Sequence, residues 1–311
     1  MRVTEGKIIF IVGPTAVGKT RVAIRLAKRL RSEIISADSM QVYKGMSIIS
    51  QAPTQCERRL VKHHMVGLVD PAGEFSVAHF CKKAVRIIKS AVRKRGAVVV
   101  VGGSGLYIKA LVDGIFPSPE ADLKYRDKLY KYAIRNGSSK LHKKLEEIDP
   151  ASAGKIHPND TRRIVRALEI YHSTGKTKTE LVAETTGLKD RYDVSIFGLN
   201  LPREKLYSDI ESRVDRMFRD GAVREAKRLL KKDLSRTASV VLGLKEISGY
   251  VNGEYGLDEA KEMLAKNTRN FAKRQLTWFR ADKRIKWFDV SRVGEKGIVR
   301  KIIACMKNSK S

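Results

Sequence analysis

The sequence predicts an α/β fold: a parallel sheet flanked by helices, carrying an inserted all-helical domain. Three observations lead there. An unbroken β-branched and aromatic run, KIIFIV at 7–12, is followed by a Gly-rich turn and then a helical pattern. Two further short apolar runs, Ile34-Ile35 and 97–101, alternate with helical stretches. From 122 to 186 the strand signal disappears while charge and helical periodicity rise.

Taken in order, 7–12 is uniformly apolar, as expected of a strand covered on both faces of a parallel sheet. The turn Gly13-Pro14-Thr15-Ala16-Val17-Gly18-Lys19-Thr20 matches G-x-x-x-x-G-K-[ST] and opens a helix read over 21–31. In such a loop the glycines let backbone N–H groups turn inward around phosphate oxygens, and the helix N-terminus adds a favourable dipole. Lys19 suits neutralisation of a terminal phosphate, and the Thr20 hydroxyl suits Mg²⁺. The core is therefore of P-loop NTPase-like type. The second strand runs into Ser36-Ala37-Asp38-Ser39. Carboxyl ends of parallel strands line the ligand crevice, so Asp38 is expected to face the phosphate. Three roles are open to it: holding Mg²⁺ through water, acting as a general base, or capping the following turn. A long basic helix is read over 75–95, and the strand at 97–101 closes in Gly102-Gly103-Ser104. No Asp stands at that strand end, where nucleotide chemistry ordinarily positions Mg²⁺, and this weakens a reading as an ATP- or GTP-hydrolysing enzyme.

The texture changes after Pro117 and Pro119. The expected division is a core of 1–118 and 193–311 with a helical insertion at 119–192. Within the insertion, Asp160 is the N-cap of a helix carrying Ile164, Leu168 and Tyr171 on one face. Arg162, Arg166 and Glu169 lie opposite, with Arg163 between. DVSIFGL at 193–199 is a return strand, Pro202 opens another helix, and the basic end 301–311 is expected to fray. The segment 269–286 holds seven basic residues and one acid. At about 100° per residue, Arg269, Lys273, Arg280, Lys283 and Arg284 form one stripe. Phe271, Gln275, Trp278 and Phe279 lie on the other side beside Arg274, and Trp278 and Phe279 are assigned to the core.

The 311 residues include 63 Lys and Arg against 34 Asp and Glu, for a net charge of +29. Such a balance means either a solvated basic surface or a polyanionic partner, and the two separate basic faces favour a nucleic acid gripped through its phosphates. The longest apolar runs fall far short of the ~20 residues that span a bilayer, so no membrane partner is expected. Three widely spaced cysteines without a C-x-x-C pattern argue against a disulfide framework or a structural zinc. With no signal-peptide pattern at the start, a cytoplasmic location is expected. His63-His64 have no partner at ligand spacing and read as structural.

Five motifs together resemble one family, the tRNA dimethylallyltransferases of bacterial type. They are GPTAVGKT (13–20), SADSMQVYKGM (36–46), GGSGLYIKAL (102–111), HPNDTRRIVRALEIY (157–171) and KRQLTWFR (273–280), in the family's order. The resemblance implies transfer of a dimethylallyl group from dimethylallyl diphosphate to the exocyclic amine of the adenosine 3′ to the anticodon, with release of diphosphate. It implies that the phosphate loop holds this diphosphate together with Mg²⁺ on Thr20 and Asp38, and that Thr15 and Arg213 line the same channel. Asp38 becomes the base, and Ser39, Met40 and Gln41 meet the flipped-out adenine. Contact with the anticodon arm of tRNA is implied for Ser104, Arg126, Arg162, Arg163, Arg166, Lys273, Arg274, Gln275 and Arg280, and a monomer is expected. Ser104 stands where the family often has Thr, the segment 239–246 aligns loosely, and the chain shows no zinc-finger extension. The rival readings are a P-loop nucleotide kinase, a dimethylallyltransferase acting on free adenylate, and a non-enzymatic RNA-binding protein. None of the three accounts for the charge, the phosphate loop and Asp38 together.

Overall fold

A computed structural model of the chain describes residues 5–116 and 119–308. Pro117, at the expected domain boundary, lies outside the described residues. Residues 113–187 form one compact unit and the remaining chain forms another.

The larger unit begins with β1 (Lys7–Val12), α1 (Lys19–Arg29), β2 (Ile34–Ser36), α2 (Gln55–Leu60), β3 (His63–His64), α3 (Val77–Arg95), β4 (Ala97–Gly102) and α4 (Gly105–Asp113). The helical unit then holds α5 (Leu123–Asn136), α6 (Ser138–Ile148), α7 (Pro150–Ala153), α8 (Thr161–Thr174) and α9 (Lys178–Ala183). The larger unit resumes with β5 (Asp193–Asn200), α10 (Arg203–Arg219), α11 (Ala222–Leu229), α12 (Leu244–Val251), α13 (Leu257–Arg280), β6 (Lys286–Asp289) and α14 (Val290–Asn308).

The sheet runs β3-β2-β4-β1-β5-β6, and every described pairing is parallel. β1 is central because both its faces are covered: Ile8 to Val12 are at most 1% exposed. Two edge strands were not foreseen. β3 has two residues and β6 four, too few to show a period, and they exist only by pairing with β2 and β5. His63 and His64 thus serve as strand residues; His64 Nε2 lies 2.7 Å from Glu33, and His63 Nδ1 lies 2.8 Å from the Val61 carbonyl.

Helix ends follow local chemistry. α3 starts at Val77 rather than 75 because Ser76 caps it, and α1 starts at Lys19 rather than 21, directly from the phosphate loop. The basic run expected as one helix over 269–286 stops at Arg280. Asp282 makes the turn there: its carboxylate accepts from the Arg284 backbone N–H at 3.0 Å and from the guanidinium at 2.7 Å. Lys283 and Arg284 therefore leave the helical stripe. At the basic end, 301–308 continues α14 instead of fraying, and 309–311 lies outside the described residues. No helix among the described residues is long and apolar enough to cross a membrane.

The helical unit is built on its own apolar core of Leu129, Leu141, Leu145, Ile164 and Leu168. Its bounds, 113 and 187, differ by a few residues from the 119–192 read from composition. Tyr171, placed on the apolar face of α8, is 40% exposed.

Candidate active site

Because all strands run parallel, their carboxyl ends open on one edge of the sheet, and the predicted chemistry gathers there. β1 delivers the loop 13–18, β2 delivers Asp38, and β4 delivers Gly102-Gly103-Ser104. The loop has the expected turned-in backbone. Gly13 adopts φ +139°, and a Cβ there would lie 2.5 Å from the Leu199 carbonyl oxygen, so only glycine fits. Ala16 takes a left-handed φ of 66°, a conformation that costs an L-residue about 1 kcal/mol and is held by the surrounding loop.

Two cations converge on this loop. Lys19 donates to the Pro14 carbonyl at 2.7 Å, and Arg213, reaching in from α10, donates to the Thr15 hydroxyl at 3.0 Å. Burial, with Arg213 nearby and Asp38 opposing, pulls the Lys19 ammonium down to about 7. Burial, together with Arg216 and Arg21, lowers Arg213 to about 10. An anion between these groups would reverse both shifts, since each cation is disfavoured by lost water and by other cations. The geometry is that of an oxyanion cradle.

Asp38 serves two purposes. Its Oδ1 accepts backbone N–H bonds from Met40 at 2.9 Å and Gln41 at 3.3 Å, so it does cap the following turn. Its Oδ2 takes no hydrogen bond among the described residues. Burial raises its pKa against the pull of those two amides and of Lys19. Ser39 is fixed beside it, its N–H donating to the Ser104 hydroxyl at 3.1 Å. Met40 and Gln41 stay partly exposed, but the Gln41 amide is spent on Ser36 at 2.7 Å and Gln51 at 3.1 Å. Thr20 Oγ1 has no bond to the protein among the described residues. One free carboxylate oxygen and one free hydroxyl beside a phosphate cradle are hard oxygen donors, and they suit Mg²⁺ that keeps water and substrate phosphates as its other ligands.

The candidate RNA contacts divide. On α13, Lys273, Arg274 and Arg280 are exposed, whereas Arg269 is paired with Glu211 at 2.8 Å. Phe279 is core, but Trp278, also assigned to the core, is 42% exposed; its indole lies against Gly105, where a Cβ would come within 2.2 Å of the ring. Gln275 is buried and turned inward, so it does not belong to the outer face. In the helical unit Arg162 and Arg163 are exposed, Arg163 lying 3.2 Å from Asp160. Arg126 and Arg166 instead converge on Glu169, which is fully buried; Arg126 Nε donates to it at 2.8 Å, and Arg166 bonds its other oxygen. Those two arginines hold α5 to α8 as a structural ion cluster. The helical pattern sets Glu169 with Arg162 and Arg166 on the polar face of α8, whereas the structure buries it completely; its position three residues after Arg166 is the signal for the pair.

A family model described as IPP transferase matches residues 41–282. The chain belongs to this family. Among its relatives, the tRNA dimethylallyltransferase of Halothermothrix orenii is 46% identical over 287 residues, covering 91% of this chain and 88% of that one. That of Carboxydothermus hydrogenoformans is 46% identical over 300 residues, covering 96% of each. Of solved structures, the tRNA isopentenylpyrophosphate transferase of Bacillus halodurans superposes with a TM-score of 0.72 at 38% identity, covering 98% of both chains. A eukaryotic dimethylallyltransferase described as acting on tRNA gives 0.76 at 30% identity, covering 91% of this chain and 74% of that one. The family match begins at Gln41, so the placement of the phosphate loop and Asp38 rests on the geometry above.

Proposed function

We propose that this IPP transferase family member moves a dimethylallyl group from dimethylallyl diphosphate to the exocyclic amine of the adenosine 3′ to the anticodon of tRNA, releasing diphosphate. It works in the cytoplasm as a single chain. The observation that carries this reading is the pairing of an anion cradle with a half-buried carboxylate that keeps one oxygen free: Thr15, Lys19 and Arg213 on one side, Asp38 on the other.

The adenine must leave the anticodon stack to bring its exocyclic amine to Asp38 beside the cradle, at a cost of a few kcal/mol that phosphate contacts elsewhere offset. Lys273, Arg274 and Arg280 on α13, with Arg162 and Arg163 on the helical unit, supply such contacts. The amine nitrogen bonds to the allylic carbon as the carbon–oxygen bond breaks, and the electron pair leaves on diphosphate. Lys19, Arg213, the Thr15 hydroxyl and the loop amides meet the charge that grows there, where preorganised donors act most strongly. Asp38, already oriented by the Met40 and Gln41 amides, takes the amine proton on its free oxygen. Mg²⁺ held by the Thr20 hydroxyl, with water between it and Asp38 so that the free carboxylate oxygen stays open to the amine, would add Lewis-acid stabilisation of diphosphate.

The test is transfer of label from dimethylallyl diphosphate to an anticodon stem-loop carrying adenosines 3′ to the anticodon. Label on RNA is expected, with none on free AMP. ATP-dependent phosphorylation of a nucleotide without RNA labelling would overturn the proposal.

A further inference from the structure

Gln275 is a polar residue on the buried stripe of α13, between Ala272 and Phe279; it is 6% exposed and both ends of its amide are bonded. Its Oε1 accepts the Thr15 backbone N–H at 2.7 Å, and its Nε2 donates to the Gly103 carbonyl at 3.0 Å. One side chain thus ties the phosphate loop after β1 to the strand end after β4. The chain makes room for it: a Cβ on Gly103 would lie 2.1 Å from Nε2. The Thr15 N–H, turned toward Gln275, cannot point at a phosphate, and the same residue presents its hydroxyl to Arg213 at 3.0 Å.

We infer that Gln275 is a positioning residue for the donor diphosphate: by holding Thr15 from behind, it sets the Thr15 hydroxyl and Arg213 where the leaving oxygens lie. This rests on the reading of the cradle as the dimethylallyl diphosphate site, and it departs from the expectation that Gln275 touches tRNA. Glutamine suits the post because it accepts at one end and donates at the other. An ionised glutamate would keep the Thr15 bond but set an oxygen against the Gly103 carbonyl and a negative charge beside the cradle. A protonated glutamic acid matches glutamine in shape and in donor and acceptor pattern.

The experiment compares wild type with Gln275→Ala, Gln275→Glu and Gly103→Ala. Donor KM and kcat are measured in labelled transfer, RNA Kd by anisotropy, and binding of inorganic diphosphate by calorimetry. Unsatisfied backbone groups behind the cradle should raise donor KM and diphosphate Kd about tenfold or more in Gln275→Ala. RNA Kd should stay within about twofold. Gly103→Ala, which leaves Gln275 in place but displaces its amide, should move the same constants in the same direction. For Gln275→Glu the donor defect should shrink relative to wild type as pH falls from about 8 to about 5, because burial and the facing Gly103 carbonyl raise the introduced carboxyl so that it protonates in this window. The inference is overturned if RNA Kd rises while donor KM holds, for Gln275 is then an RNA contact. A pH-independent Gln275→Glu defect overturns it too, as does unchanged diphosphate affinity in Gln275→Ala. If wild type labels no RNA, the functional reading falls, while the calorimetric arm still decides whether the clamp sets an anion site.

Discussion

Asp38→Asn is the sharpest probe of the proposed reaction, because the structure separates the two carboxylate oxygens. Oδ1 holds the turn through the Met40 and Gln41 amides, and a carboxamide oxygen can keep both bonds. Oδ2 is the oxygen without a partner, and there the substitution puts an NH₂ group that cannot take a proton. The loop should therefore stay folded while the base is lost. A positioned general base is worth about 10²–10⁴-fold. The adenine amine is only weakly basic, and part of the advantage comes from orientation, so the expected loss in single-turnover transfer is near the lower end, about 10²-fold. RNA Kd should change by less than about twofold, since no phosphate contact is removed. Asp38→Ala should lose more, for it also strips acceptors from two backbone amides at about 1–3 kcal/mol each. The assay is transfer of labelled dimethylallyl to a stem-loop under enzyme excess, with RNA affinity measured on the same preparations. An Asp38→Asn rate within about threefold of wild type would remove the general-base role. Loss of RNA binding with the rate at saturating RNA retained would recast Asp38 as a binding group.

Four further variants have expected outcomes. Lys19→Met should abolish diphosphate binding by calorimetry while far-UV dichroism is unchanged, because the cradle loses the cation closest to the loop carbonyl of Pro14. Glu169→Gln should destabilise the protein by about 2–3 kcal/mol in denaturant melts, below the 3–5 of a fully buried pair because Arg126 and Arg166 remain partly hydrated. Burial pushes the Glu169 carboxyl up, but bonds from Arg126 and Arg166 outweigh it and hold the group below its ordinary range; its share of stability should persist at neutral pH and vanish as pH falls through that lowered value, a limb absent from Glu169→Gln. Trp278→Ala should weaken stem-loop binding by about 1 kcal/mol or more with an unchanged salt slope, since stacking carries no charge, whereas Arg274→Ala should reduce the slope by about 0.7.

The elements with strong local signals were legible: KIIFIV, the phosphate loop, the strand before Gly102, and the N-cap at Asp160. β3 and β6 were not, because two- and four-residue edge strands owe their existence to a neighbour rather than to their own pattern. Helical periodicity placed Phe279 correctly and Trp278 wrongly. The angle around a helix says which residues share a face, but not how wide the covered stripe is, and Trp278 lies against Gly105 with its indole partly exposed. For the same reason Arg126 and Arg166 looked like free cations until Glu169 was found buried between them.

The chemistry on offer is written in residue type and short spacing. An eight-residue loop with Lys19 and Thr20, an acid at the end of the second strand and a charge of +29 already specify a small-anion site and a large polyanion, since those properties reside in residue type and short spacing. Which groups work together depends on the folded chain. Gln275 lies 260 residues from Thr15 and 172 from Gly103 along the chain, and Arg213 lies 198 from Thr15. No local pattern encodes partners at such separations. They meet because parallel strands bring their carboxyl ends to one edge, and because α10 and α13 turn Arg213 and Gln275 toward the loop assembled there.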